Sequence, residues 1–181
     1  MSGPAAAAVR GLELAGLGIF VLAACQDLAW RLVGNAAPAG IAVLGLLARL
    51  LEGRLLAGLL AGFAVFALAV LCWRRGWLGG ADAKLFGAGA LLCPPPLAAA
   101  FVLASVLAGG VLACLYWLLG RLVAAPPPPL LAPPAPQRRL PAPRGRWGRL
   151  LRLEARRLRR GGPLPYVVAL CAGMGLVLLK G

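Results

Sequence analysis

The chain has 181 residues, 61% of them hydrophobic and 13% charged, with a mean hydropathy of +0.87 and a formal net charge of +14. A soluble domain carries about 25% charged residues, and no stretch here is both soluble and long enough to bury a core of its own, so one membrane domain over residues 1–181 is the natural reading. With no histidine, and with Cys25, Cys72, Cys93, Cys114 and Cys171 standing singly outside any CxxC pair, neither a zinc site nor a disulfide framework has support.

In chain order, the first apolar segment runs from about Gly11 to Gln26. Glu13 inside the run and the poor cleavage site at Cys25-Gln26-Asp27 favour a retained membrane helix over a signal peptide. A second segment spans about Ala36 to Leu51, and a third, uncharged throughout, Leu55 to Trp73. From Leu85 to Gly120 there is again no charge, but Pro94, Pro95 and Pro96 interrupt the run. Proline lacks an N–H and clashes with a continuing helix, which predicts a short fourth helix to about Leu92 and a fifth from about Leu97 to Leu119. A sixth segment covers Leu164 to Leu179. The fold class expected is therefore all-α: a polytopic protein of six transmembrane helices. Several fall short of the ~20 residues of an ideal span, so some ends sit at the interface or thin the bilayer.

Charge asymmetry orients the bundle. If the loops after segments one, three and five face the cytoplasm, that side holds fifteen of the 19 Lys and Arg residues, ten of them between Arg138 and Arg160. Arg10, Arg49, Arg54 and Lys180 remain for the other side. The positive-inside tendency favours this arrangement. The long fifth loop, residues 124–162, opens with a proline-rich spacer. It continues into a basic stretch, Arg146 to Arg160, in which Trp147, Leu151 and Leu158 share a helical face. Two readings stand side by side, an interfacial helix on anionic lipid headgroups and a solvated basic loop; nucleic acid is not an expected partner.

Among five acidic residues only two are aspartates, Asp27 at the end of segment one and Asp82 at the start of segment four. Both fall on the expected cytoplasmic boundary, where a folded bundle can bring them to one depth. Two carboxyls in a partly desolvated pocket share a proton and titrate as a unit, which suits acid–base hydrolysis without a metal or other cofactor. Gly79 and Gly80 would then allow a tight turn and the close approach of an extended peptide. Structural readings account for the same residues: Asp82 as a helix cap, and Asp27 in an i,i+4 ion pair with Arg31.

Two stretches resemble the prepilin peptidases of type IV pilus systems, membrane aspartic proteases of the GxGD kind, and among them the short TadV/CpaA branch acting on Flp-type prepilins. Asp27-x-x-x-Arg31-x-x-x-Asn35 is similar to that family's D-x-x-x-R-x-I-P-N stretch after helix one, and Gly79-Gly80-Ala81-Asp82-Ala83-Lys84-Leu85 to its G-G-G-D-x-K-L stretch at helix four. Leu164-Pro165-Tyr166 is a weaker match to the entry of the last helix. Val33-Gly34, Ala81 and Val167 depart from the usual residues. The resemblance implies Asp27 and Asp82 as the acid–base pair, a prepilin as substrate, and removal of a short basic leader at the cytoplasmic edge of the bacterial inner membrane. Arg31 and Asn35 would order the first loop, and Lys84 would snorkel to headgroups or meet the substrate. Cleavage without N-methylation is expected, because the paired cysteines of bifunctional members are missing from this sequence. The competing classes are a transporter subunit with an aspartate proton relay and a non-enzymatic scaffold of a secretion system. Nothing in the residues signals an oligomeric state.

Overall fold

The structure is a computed structural model describing residues 3–30, 33–123 and 165–180. Among the described residues all regular structure is helical: α1 (Pro4–Trp30), α2 (Ala36–Leu51), α3 (Leu55–Arg74), α4 (Gly80–Leu92), a 3-10 turn (Pro95–Leu97), α5 (Ala98–Val123) and α6 (Tyr166–Lys180). The chain divides into two units, residues 1–111 with 165–181, and residues 112–164. In the second unit the described part is the end of α5, where the Arg121 guanidinium lies 4.0 Å from the Trp117 ring. The features below belong to the first.

Three helices, α1, α3 and the 3-10 turn with α5, are long and apolar enough to cross a membrane. They turn large apolar side chains outward, among them Leu22, Leu60, Phe63, Leu68, Leu103 and Leu107. Such a surface suits lipid rather than water. The other three are shorter, with 16, 13 and 15 residues in α2, α4 and α6. At 1.5 Å per residue α4 reaches only about 20 Å.

The helix ends follow local chemistry. After α2, Gly53 (φ 68°) lets its N–H bond Leu50 O while Arg54 N–H bonds Arg49 O. After α3, Gly76 (φ 76°) does the same, with Gly76 N–H on Trp73 O and Trp77 N–H on Cys72 O. Both are Schellman closures, which need a residue in the left-handed region that only glycine enters cheaply. The three prolines end α4 as expected, since residues 94, 95 and 96 would otherwise donate to the carbonyls of Ala90, Leu91 and Leu92.

Helix α4 is the core. Ala83 and every residue from Leu85 to Leu92 are buried, and a helix apolar all round belongs inside. It packs most extensively on α3 and α2 and also meets α6, while α1 packs on α2 and α6. Close approach depends on glycine. A Cβ at Gly45 would lie 2.8–2.9 Å from the Leu91–Leu92 backbone, and one at Gly87 would lie 2.7 Å from Phe66 Cβ. Rings link the helices: Phe20 of α1 and Phe86 of α4 flank Phe101 of α5, with centroids 6.4 and 5.9 Å away. Phe86 also meets Tyr166 of α6 at 6.1 Å.

Candidate active site

Asp27 lies one turn before the end of α1, and Asp82 lies in the first turn of α4, ahead of its uncharged run. Gly79 is the N-cap of α4, which makes Asp82 the third helical residue rather than the cap itself. Its carboxylate reaches back to accept the Gly79 backbone N–H, the half of a capping box that an acidic third residue supplies. That bond and the positive end of the helix favour the charged form. Burial and the neighbouring Asp27 carboxylate oppose it and win: the Asp82 carboxyl is pushed up to about 6, first by desolvation and then by the charge on Asp27. Two aspartates from separate helices therefore act on each other at one end of the bundle.

The glycines before Asp82 have a different basis from the expected one. Gly79 sits at φ −71°, ψ 148°, ordinary extended backbone, and the turn into α4 takes its left-handed residue at Gly76. What Gly79 provides is space, because a Cβ there would lie 2.6 Å from Asp82 Oδ2. Gly80 opens the helix, and its Cβ would lie 3.3 Å from Trp73 Nε1. Tight turning is thus not their role.

Asn35 and Lys84, read separately from the sequence, meet: Lys84 Nζ donates to Asn35 Oδ1 at 2.8 Å, joining the segment after α1 to the N-terminal part of α4. Both side chains are exposed. Arg31 lies outside the described residues, as do the basic stretch Arg146–Arg160 and loop 124–162. Among the described residues no three His, Cys, Asp or Glu side chains gather as a metal site, and all five cysteines are unbridged.

The opposite end of the bundle corrects the expectation for Arg49. Counted from the sequence as a loop charge, it is fully buried. It donates to Glu52 Oε2 at 2.6 Å, Glu13 Oε1 at 2.8 Å and the Leu92 carbonyl at 3.2 Å. Arg10 pairs with Glu13 at 3.4 Å. An unpaired charge inside an apolar bundle is costly, so two arginines and two glutamates gather there and balance. The sequence signal was the single acidic residue inside segment one, Glu13, whose partner lies on another helix.

The described helices thus form a bundle with a lipid-suited surface, and Asp27 and Asp82 lie at one end of it. The profile of the type IV leader peptidase family matches residues 14–114, more than half the chain and both aspartates, and the chain belongs to that family. No curated protein and no solved structure matches it.

Proposed function

We propose that this leader peptidase is an aspartic endopeptidase with Asp27 and Asp82 as its catalytic pair, removing the short basic leader of Flp/Tad-type prepilins without N-methylation. The observation that carries the reading is the placement of Asp27, one turn before the end of α1, and Asp82, in the first turn of α4, at the same end of the bundle within electrostatic range of each other. In this mechanism the reactive form carries its proton on Asp82 while Asp27 is ionised. Asp27 takes a proton from water as the oxygen attacks the scissile carbonyl, and Asp82 gives its proton to the carbonyl oxygen. When the tetrahedral intermediate collapses, the C–N bond breaks, Asp27 returns its proton to the leaving amine, and Asp82 recovers one as the carbonyl reforms.

The site faces the cytoplasm in this reading, with six membrane crossings and the short helices supported by their neighbours. Burial of Arg49 supports the orientation, because removing it from the four positives of the far side leaves three against fifteen. Gly79 leaves room beside the Asp82 carboxylate and Gly80 beside Trp73, the Asn35–Lys84 contact orders the rim, and Arg31 would order the first loop. The basic stretch Arg146–Arg160 would hold anionic lipid headgroups. The relay reading fits less well, since proton relays and transport sites lie near the midplane and both aspartates lie at helix ends.

Co-expression with a prepilin tests this directly. Asp27→Asn and Asp82→Asn are each expected to lower cleavage at least about 10³-fold while the protein still accumulates in the membrane. Wild-type processing by either variant would remove the pair from the mechanism.

A further inference from the structure

The three prolines after α4 leave an unusual problem at its C-terminus. In a continuing chain, the N–H groups of residues 94, 95 and 96 would bond the carbonyls of Ala90, Leu91 and Leu92, and proline has none. Cys93 Sγ lies 3.6 Å from Ala90 O. For Leu92 O, the last carbonyl of the helix, the donor comes from another helix: Arg49 Nη2, at 3.2 Å. A cation at a helix C-terminus is also favoured by the helix dipole.

Arg49 is itself held on several sides. Glu13 fixes it to α1 and Glu52 to the end of α2. Gly58 of α3 lies against its stem, where a Cβ would meet Arg49 Cγ at 2.5 Å. Close to the same level, Gly45 sits against the Leu91–Leu92 backbone and Gly16 against the Leu92 side chain. The far end of α4 is thus fixed along its axis by one guanidinium and sideways by glycine contacts. Asp82 sits ten residues back along this rigid rod, about 15 Å away.

We propose that Arg49 is a positioning residue for catalysis, pinning the last carbonyl of α4 and thereby setting the depth at which Asp82 faces Asp27. This rests on the reading of the two aspartates as the catalytic pair. A displacement of about 1 Å at reacting groups costs on the order of 100-fold in rate, so a slip of α4 at Leu92 is felt at Asp82. Because Arg49 lies at the end of the bundle remote from the aspartates, the loss falls on turnover rather than on substrate binding.

The test is steady-state cleavage of a prepilin by the full chain in lipid vesicles, with rates expressed per folded molecule. Arg49→Met is expected to lower kcat 10- to 100-fold with KM changed less than threefold. Arg49→Lys, which keeps a charge and a donor for Leu92 O, is expected to recover at least a third of wild-type kcat. Pro96→Ala returns a backbone N–H to the position that serves Leu92 O, and in the Arg49→Met background it is expected to raise kcat. If Arg49→Met does not insert, Glu13→Gln carries the test: with one anchor of the guanidinium weakened, kcat falls at least threefold and KM stays fixed. Wild-type kcat per folded molecule in Arg49→Met, or in Glu13→Gln where that is the variant that folds, would overturn the proposal, as would a loss confined to KM. Asp82→Asn is assayed alongside. If it cleaves, the aspartate reading fails; if it is inactive while the Arg49 series is unaffected, only the positioning role fails.

Discussion

Asp82 accepts a backbone N–H at a helix N-terminus, a setting that ordinarily keeps a carboxylate charged, yet burial and Asp27 hold its proton up to about 6 from an ordinary 3.8. The folded state therefore binds that proton more tightly than the unfolded chain. Stability falls as pH rises from about 3.8 through about 6, and the full cost is present above that. Asp82→Asn removes the charge, so melting in detergent is expected to show the variant more stable than wild type by about 2–3 kcal/mol at pH 7.5 and equal to it near pH 3.5. A less stable variant at pH 7.5 would mean that the carboxylate supports the fold rather than straining it. Lys84 offers a second measurement. Its bond to Asn35 is exposed, and such a contact contributes about 1 kcal/mol or less. Lys84→Ala is thus expected to leave the melting temperature within a few degrees; a tenfold or larger loss of cleavage in the same protein would assign the lysine to the substrate instead of the loop.

At the scale of the helices, the boundaries were legible and the faces were not. Gly53, Gly76 and the three prolines end their helices by effects within one turn, so α2 matches its expected span and α3 and α5 differ by a few residues. Helix α1 begins at Pro4 rather than near Gly11, because the alanine-rich start propagates as helix whatever its hydropathy. Helix α4 begins at Gly80, which draws Asp82 into its first turn and Lys84 into its second. Which glycines are contacts and which are spectators depends on the neighbouring helix. Gly45 abuts backbone, whereas a Cβ at Gly18 would meet nothing within 4 Å. Gly45→Ala is expected to destabilise by about 1–3 kcal/mol and Gly18→Ala to stabilise by up to about 1 kcal/mol through helix propensity. Equal effects in thermal denaturation would contradict the packing at α4.

For the whole molecule, the buried Arg49 cluster and the aspartate pair occupy opposite ends of one bundle, and orientation in the membrane decides which end meets the cytoplasm. Reporter fusions separate the alternatives. A cytoplasm-active reporter is expected to work after Gly76 and an export-active one after Gly53; the reverse pattern would place the aspartates outside.

The membrane class, the C-terminal ends of α2, α3 and α4, the two aspartates and the end of the bundle they occupy followed from the sequence alone, because lipid solubility, proline, glycine and charge placement act through composition or within a single turn. Tertiary structure decided that Asp27 and Asp82 lie within electrostatic range of each other, that Arg49 leaves the loop count for the interior, and that Gly79 serves as space for a carboxylate rather than for a tight turn. Those outcomes depend on which helices face each other. In a helix as apolar all round as α4 no periodic stripe records the facing side, and only packing against α2 and α3 selects it.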